Sequence, residues 1–397
     1  MSNRLPRDLW TEILVSLPVK SLLRFQCVCK SWKSLISTPT FISMHTQHSE
    51  STGNYAHIIR WHRYKDIETP YGLLHIDGSF NEFQELEYPC QMRGRCHGVV
   101  HDCKGLILFT TDNKSHILWN PAIRMSMTLP RPRIVVPVKA TSKYCIHGFG
   151  FDHTSNDYKV LRMVNDYNTL SPLQAELYRL RTGTWETFTG ADDFGKYYIY
   201  ENTHTFLNGA SHWLVFHEAS GSRKRMVVLF DMCDEQLRVM KLPDHLSLSL
   251  GADSVLGVSG GLLSLMVQNG EENVDLRCNI WLMKEYGVAE SWTKQFTINL
   301  KRWFFGEIFC LRNNEKILAW HWKKGKVSTL CNPKTNRLIN LKLEGFFLGK
   351  NTFVESLVLL DKVNPMQTCQ ICLSKGQWCD SKERKKEEDM HVRQKAK

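Results

Sequence analysis

LPRDLWTEILVSLPVKSLLRFQCVCKSWKSLI, at positions 5–36, carries three short apolar stripes. The first begins at Pro6, which suits a first helical turn, and it ends at Pro18, which stops a helix. Ser21 can cap a second short helix. The third stripe contains Val28, Trp32, Leu35 and Ile36 and ends before Thr38-Pro39. Three such helices bury little surface alone, so the remaining apolar side chains predict a partner surface.

The register of this segment resembles an F-box, the helical module that joins a substrate receptor to a cullin-based ubiquitin ligase. The resemblance rests on Leu5-Pro6, Ile13-Leu14, Leu17-Pro18, Ser21-Leu22, Arg24, Val28-Cys29-Lys30 and Trp32. It implies that a Skp-type adaptor binds Leu5, Pro6, Leu9, Ile13, Leu14, Leu17, Pro18 and Leu22. It also implies that Val28, Trp32 and Leu35 form the module's core. Periodicity alone allows another interpretation, an N-terminal helical cap packed on the rest of the chain.

A repeat with a period of about 50 residues follows the helical segment. Short apolar runs alternate with turns rich in Gly, Asn, Asp and Ser, which is typical of strands. Corresponding strands are centred near Trp119, Tyr178, Phe230, Trp281 and Leu330. The period is that of a four-stranded propeller blade.

Two segments are left over and predict one further blade. Residues 57–61, 71–76 and 83–87 read as three strands, and residues 353–360 read as a fourth. Sharing a blade would close a six-bladed ring and join the two ends of the domain. The alternative is a pair of β-sandwiches.

The β region also resembles the F-box-associated, kelch-like interaction domain of a large plant family. The matching motifs are Leu118-Trp-Asn-Pro-Ala-Ile-Arg124, Gly148-Phe-Gly-Phe-Asp152, Ile280-Trp-Leu-Met-Lys-Glu-Tyr286 and Phe353-Val-Glu-Ser356. The expected fold class is therefore α+β and multidomain, a three-helix F-box before a large all-β domain, a six-bladed kelch-like β-propeller. Expected limits are 1–45 for the F-box, 46–54 for a linker, 55–362 for the propeller and 363–397 for a charged, disordered tail.

Composition narrows the class of protein. The chain has 397 residues and a net charge of +11, but its basic residues are dispersed and match no nucleic-acid motif. An acidic partner surface is favoured instead. No signal peptide or membrane span is evident, and 13 cysteines without a secretion signal predict reduced thiols in the cytoplasm or nucleus.

Isolated motifs that could suggest catalysis or metal binding lack their usual context. Gly257-Val-Ser-Gly-Gly261 resembles a nucleophile elbow, but a strand-like run follows it and not a helix. His97, His101, His147, His212 and His321 lie in or beside strands without metal-ligand spacing. Cys369, Cys372, Cys379 and His391 could complete a zinc tetrahedron, although a disordered tail fits their surroundings better. We expect no cofactor, no metal and no catalytic residue.

The expected function is substrate recognition in an SCF (Skp–cullin–F-box) ubiquitin ligase, with the Skp-type adaptor leading to the cullin and RING subunits. The β domain would capture an unidentified target, and no nucleic acid or membrane would take part. Tyr197-Tyr198 and Trp303-Phe304-Phe305 are aromatic runs that could contact it. Two alternatives stay open, an F-box scaffold outside a ligase and a propeller enzyme with a helical cap.

Overall fold

The computed structural model describes most of the chain between Pro6 and Leu359. The described residues are 6–52, 55–62, 71–76, 83–86, 100–110, 115–135, 143–166, 173–191, 194–199, 204–219, 222–248, 254–269, 276–300, 308–310, 317–321, 326–332, 337–344 and 346–359. Leu5, the Trp303–Phe305 run and the tail with its cysteines lie outside them.

Four helices form the N-terminal module, and a one-turn helix lies farther along. Their bounds are α1 Arg7–Val15, α2 Val19–Phe25, α3 Lys30–Ile36, α4 Pro39–Ser51 and α5 Asp244–Ser247. Pro6 and Pro18 precede α1 and α2, as the sequence predicts for Pro6. The prediction that Ser21 caps the second helix was wrong, because α2 already begins at Val19.

The fourth helix corrects the expectation of three helices and a linker at 46–54. The Thr38 hydroxyl accepts the Phe41 N–H, and Pro39 occupies the first turn, so the pair that ends α3 also starts α4. Phe41, Ile42, His45 and Thr46 are buried, which continues the apolar face through the polar-looking end of the segment. Residues 46–51 are therefore helical.

Six antiparallel sheets follow, counted over the described residues. The strands of sheet 1 are β25 Phe346–Val354, β1 Tyr55–His62, β2 Tyr71–Ile76 and β3 Phe83–Leu86. Those of sheet 2 are β4 Val100–Cys103, β5 Leu106–Thr110, β6 His116–Asn120 and β7 Met125–Thr128. Those of sheet 3 are β8 Lys143–Asp152, β9 Asp157–Asp166, β10 Gln174–Arg179 and β11 Thr184–Phe188.

The remaining three sheets repeat the pattern. Sheet 4 has β12 Tyr197–Ile199 and β13 Thr205–Leu207, both paired with β14 Ala210–Ala219, then β15 Ser222–Asp231 and β16 Leu237–Lys241. Sheet 5 has β17 Ser254–Ser259, β18 Leu262–Asn269, β19 Leu276–Met283 and β20 Trp292–Leu300. Sheet 6 has β21 Ile308–Cys310, β22 Ile317–His321, β23 Lys326–Asn332 and β24 Arg337–Glu344.

The repeat read from the sequence is confirmed by strand position. Trp119, Tyr178, Phe230, Trp281 and Leu330 lie on β6, β10, β15, β19 and β23, each the third strand of its sheet. The expectation that the chain's two ends share a sheet is also confirmed, since Tyr55 of β1 pairs with Val354 of β25. The bounds of that last strand were wrong, because it ends at Val354 and residues 355–359 form a separate segment.

Strand direction divides the β domain into two faces. One carries the tight hairpins between first and second strands, at Lys104-Gly105, Asn208-Gly209 and Gly260-Gly261, and we call it the turn face. Val354 and Tyr55 also lie there, so the helical module joins this face. The opposite face, where second strands lead to third strands, is the loop face.

Candidate partner-binding site

Helix α1 has two apolar stripes that point in different directions. Leu9 and Ile13 lie one turn apart and are 43% and 46% exposed. Leu14 is 1% exposed and packs inward with Val19 and Leu22. The inward stripe builds the module, and the outward stripe is left for a second surface.

The residues assigned to the adaptor divide into two groups. Pro6, Leu9, Ile13 and Pro18 are exposed, and Leu17 is half-buried. Leu14 and Leu22 are fully buried, which corrects their placement on the adaptor-facing surface. Periodicity could not separate them, because Ile13 and Leu14 are adjacent and either could have faced inward.

The residues predicted to form the core of the helical module also fall into two groups. Trp32 is half-buried and lies between Trp10 and Phe25, with ring centroids 5.5 and 5.1 Å away. Leu35 is half-buried and packs against the same core. Val28 is 64% exposed, so its assignment to the core was wrong. It lies in the turn between α2 and α3, where its side chain faces away from both helices' packed sides.

Met44, on the helix that sequence reasoning missed, is another exposed apolar residue of the module, at 40% exposure. Helices α1 and α4 are in contact. The available signal was the Thr38-Pro39 pair, which both ends one helix and starts the next.

A residue from the other end of the chain completes the helical core. Leu357, which follows β25, is fully buried in one cluster with Leu14, Leu22, Ile36 and Phe41. Residues Glu355–Leu359, which we call the hook, therefore belong to both domains. The helices cannot reorient on the β domain without exposing Leu357.

Two polar contacts hold the hook and the helices in place. The Asn120 amide donates to the carbonyls of Ser356 and Val358, at 2.9 Å each, and its oxygen accepts the Ala122 N–H at 2.9 Å. The Lys104 ammonium lies 2.9 Å from the Glu50 carboxylate of α4. A side chain at Gly105 would collide with Ser356, which accounts for the glycine there.

Two titratable side chains of the module have pKa values that are shifted by their surroundings. Burial lowers the pKa of His45, whose Nε2 lies 3.0 Å from the Leu17 carbonyl oxygen, so the neutral ring donates there. This bond ties α4 to the turn between α1 and α2. A hydrogen bond from the Ser31 hydroxyl lowers the pKa of the exposed Cys29 thiol.

A buried Ser–His pair is the nearest approach to catalytic geometry among the described residues. The Ser211 hydroxyl lies 3.0 Å from His204 Nε2, and the His101 ring meets His204 edge-on at 3.8 Å. Ser211 is fully buried and donates to the Phe149 carbonyl at 3.3 Å. That direction leaves His204 as the donor to Ser211, the reverse of what nucleophile activation requires.

The remaining chemical motifs have structural explanations where the structure describes them. Gly260-Gly261 forms the turn between β17 and β18, with positive φ at both glycines, so the elbow-like motif is a hairpin. His101, His147 and His212 are buried, as packed residues should be. Within the described residues no group of three or more His, Cys, Asp or Glu could hold a metal ion.

Comparison with known families supports the two-domain organisation. Residues 2–43 match the F-box domain, and residues 72–358 match the F-box-associated β-propeller domain. The chain belongs to the family of F-box proteins with an F-box-associated β-propeller. The β domain is accordingly a propeller domain, and the helical module is the F-box.

Similar curated proteins come from a plant. F-box protein CPR1 of Arabidopsis thaliana is 27% identical over 74% of this chain and 73% of its own length. F-box/kelch-repeat protein At3g23880 of the same plant is 28% identical over 75% of this chain and 80% of its own.

Family membership implies two partners. The F-box implies a Skp-type adaptor, and the propeller implies a target protein. Among the described helices, none is long and apolar enough to cross a membrane.

Proposed function

We propose that this protein is the substrate-recognition subunit of an SCF ubiquitin ligase. The F-box binds the Skp-type adaptor, which leads to the cullin and RING subunits, while the propeller holds the target. Ubiquitination is then favoured by proximity, since target lysines have a high effective concentration near the charged conjugating enzyme. No group of this chain need react, and it would act in the cytoplasm or nucleus without nucleic acid or membrane.

The observation that supports this best is the outward stripe of α1. The F-box core is complete without Leu9 and Ile13, yet both remain almost half exposed. Burying the exposed part of each against a partner would contribute about 1 kcal/mol. Pro6 precedes α1 and Pro18 precedes α2, and both prolines are exposed and extend the surface.

A six-bladed ring is the form of propeller that we propose, and we number its blades 1–6 after the sheets. Contacts run from β25 to β4, β8, β14, β17 and β21 in turn, and β23 returns to β25. Such a ring leaves few free sheet edges. We place its limits at 55–362 and extend the F-box from 45 to Ser51, because α4 ends there; the tail at 363–397 lies outside the described residues.

Co-purification with a plant Skp-type adaptor tests the receptor role. We expect a stable complex with the full chain, and its loss in the double variant Leu9→Glu/Ile13→Glu. Val288→Glu alters an exposed apolar residue of a propeller loop and serves as the control. Adaptor retention by the double variant would contradict the proposal.

An F-box scaffold outside a ligase is the second candidate, because the same outward stripe would serve it. Depletion in plant tissue separates the two. Proteins bound by the propeller accumulate when a receptor is lost, whereas their lifetimes do not change when a scaffold is lost. A propeller enzyme is less well supported, since Ser211 is closed to solvent.

A further inference from the structure

The two faces of blade 4 differ in how their positive charges are balanced. On the turn face, Lys159 of the neighbouring blade 3 is buried between the carboxylates of Asp152, also of blade 3, and Glu235, in the turn between β15 and β16 of blade 4, at 2.8 Å each. Arg179 pairs with Glu235 at 2.7 Å. Cations there are already neutralised.

The loop-face end of the same blade carries cations at three of its strands. Lys196 precedes β12, Arg223 and Lys224 begin β15, and Lys241 ends β16; all four are exposed. No ion pair among the described side chains involves them. Within the described part of the chain, two acidic residues are near these cations: Glu218 of β14 is the cross-strand partner of Arg223, and Asp244 lies at the start of α5.

Aromatic rings lie on the same side of the blade as Arg223, whereas Lys224 and Lys241 lie on its other side. Tyr198 pairs with Phe216, which pairs with Arg225, so the three side chains form a row on one side of the blade. The Arg223 guanidinium lies 4.3 Å from the Phe216 ring centroid, and that of Arg225 lies 5.2 Å from it. Two positive charges therefore share one ring.

The chemistry of this row fits an anionic ligand. The Arg223 guanidinium is exposed, whereas Arg225 is buried, and the N–H edge of a guanidinium matches a carboxylate in a bidentate pair. Tyr198 is 45% exposed and adds apolar contact beside the charges. Tyr and Arg are the residue types that contribute most to protein interfaces.

We propose that the loop-face end of blade 4, formed by Lys196, Tyr198, Phe216, Arg223, Lys224 and Lys241, binds an acidic segment of the target protein. We call this surface the blade-4 patch. It rests on the receptor function proposed above and specifies the target chemistry. Strands β14 and β15 have ten residues each, which places the patch about 33 Å from the turn face and the F-box. Adaptor and target thus bind opposite faces.

Selection from a phage-displayed library of random peptides, about 12 residues long, tests the patch on the adaptor-bound full chain. We expect enriched peptides to be acidic. The double variant Arg223→Glu/Lys224→Glu should weaken the best peptide at least about tenfold, and raising NaCl to ~0.5 M should weaken wild-type binding. The matched control Lys284→Glu/Lys294→Glu makes the same charge change on the turn face and should bind as wild type.

Three results would overturn the assignment: selected peptides without acidic bias, equal loss in the control, or tighter binding of a single-stranded DNA oligonucleotide than of the best peptide. Adaptor co-purification is measured for each variant. A chain that holds the adaptor but shows no acidic preference refutes the patch alone, whereas a folded chain that fails to hold the adaptor refutes the receptor function.

Discussion

The F-box and the propeller achieve stability in different ways. The propeller repeats one four-stranded unit, and its blades bury large side chains such as Trp213 and Phe230 against each other. The F-box has four short helices, takes Leu357 from the propeller to complete its core, and still leaves Leu9 and Ile13 exposed. The small module therefore depends on two neighbours, one within the chain and one outside it.

The two domains also differ in their buried polar groups. The propeller buries His116 and His147 with their Nε2 atoms 2.9 Å apart, so one ring must donate and the other accept. The F-box buries His45 alone among its histidines. Acid should therefore affect the propeller more than the F-box.

Removing the hook's side chain should have the largest effect. Leu357→Ala should cost the F-box about 2–5 kcal/mol, because it opens a cavity in a shared core. Hydrogen exchange of the α2 and α4 amides, compared with that of the β15 amides, shows whether the F-box or the propeller loses stability. Leu265→Ala, a buried leucine of blade 5, is the matched control and should leave α2 protected. Equal loss of protection in β15 and α2 would mean that the hook is not specific to the F-box.

Acidification should have the next largest effect on stability. Burial lowers the pKa of His116 and His204 to about 3 and that of His212 to about 4, from an ordinary value of 6.5. Above pH 6.5 these histidines are neutral in both the folded and the unfolded chain, so their contribution to the free energy of unfolding is constant. Below it only the unfolded chain takes up these protons, so each histidine removes about 1.4 kcal/mol by about pH 5.5. Urea unfolding from pH 7.5 to about pH 5.5 measures the slope.

A single-histidine variant tests whether buried histidines cause the loss of stability in acid. His212→Gln should remove about 1.4 kcal/mol of the stability loss between about pH 7.5 and about pH 5.5. An unchanged loss in this variant would contradict a neutral, buried His212.

Loss of the amide that binds the hook should have a smaller effect. Asn120→Ala leaves the Ser356 and Val358 carbonyls without their donor and should cost about 1–3 kcal/mol. Faster amide exchange at Leu357 is the expected sign. Asn279→Ala, which removes a contact with Thr297 in blade 5, should not change that exchange. Undisturbed exchange at Leu357 in N120A would show that Asn120 does not hold the hook.

The smallest stability effect should occur on the outward stripe. Ile13→Ser shortens an exposed side chain and should change the free energy of unfolding by less than about 0.5 kcal/mol. Thermal unfolding checks this. A loss of several degrees would mean that Ile13 packs within the F-box.

Much of the architecture could be predicted because it depends on local pattern. The aromatic and apolar third strands recur at a fixed spacing, and the leftover strands at each end had to pair to close a sheet. Helix α4 was missed because its buried residues end in His45 and Thr46, which read as polar. The roles of Leu14 and Leu22 depend on which face meets Leu357, more than 300 residues away along the chain, and no local pattern contains that contact.

The most direct test of the two-stripe account compares neighbouring residues of α1 by isothermal titration with the Skp-type adaptor. Ile13→Glu should lose binding while its melting temperature stays at the wild-type value. Leu14→Ala should melt lower yet bind with near wild-type affinity below its melting point, since its side chain does not reach the surface. Retained binding by I13E, or lost binding by a folded L14A, would contradict the division of α1 into an inward core stripe and an outward binding stripe.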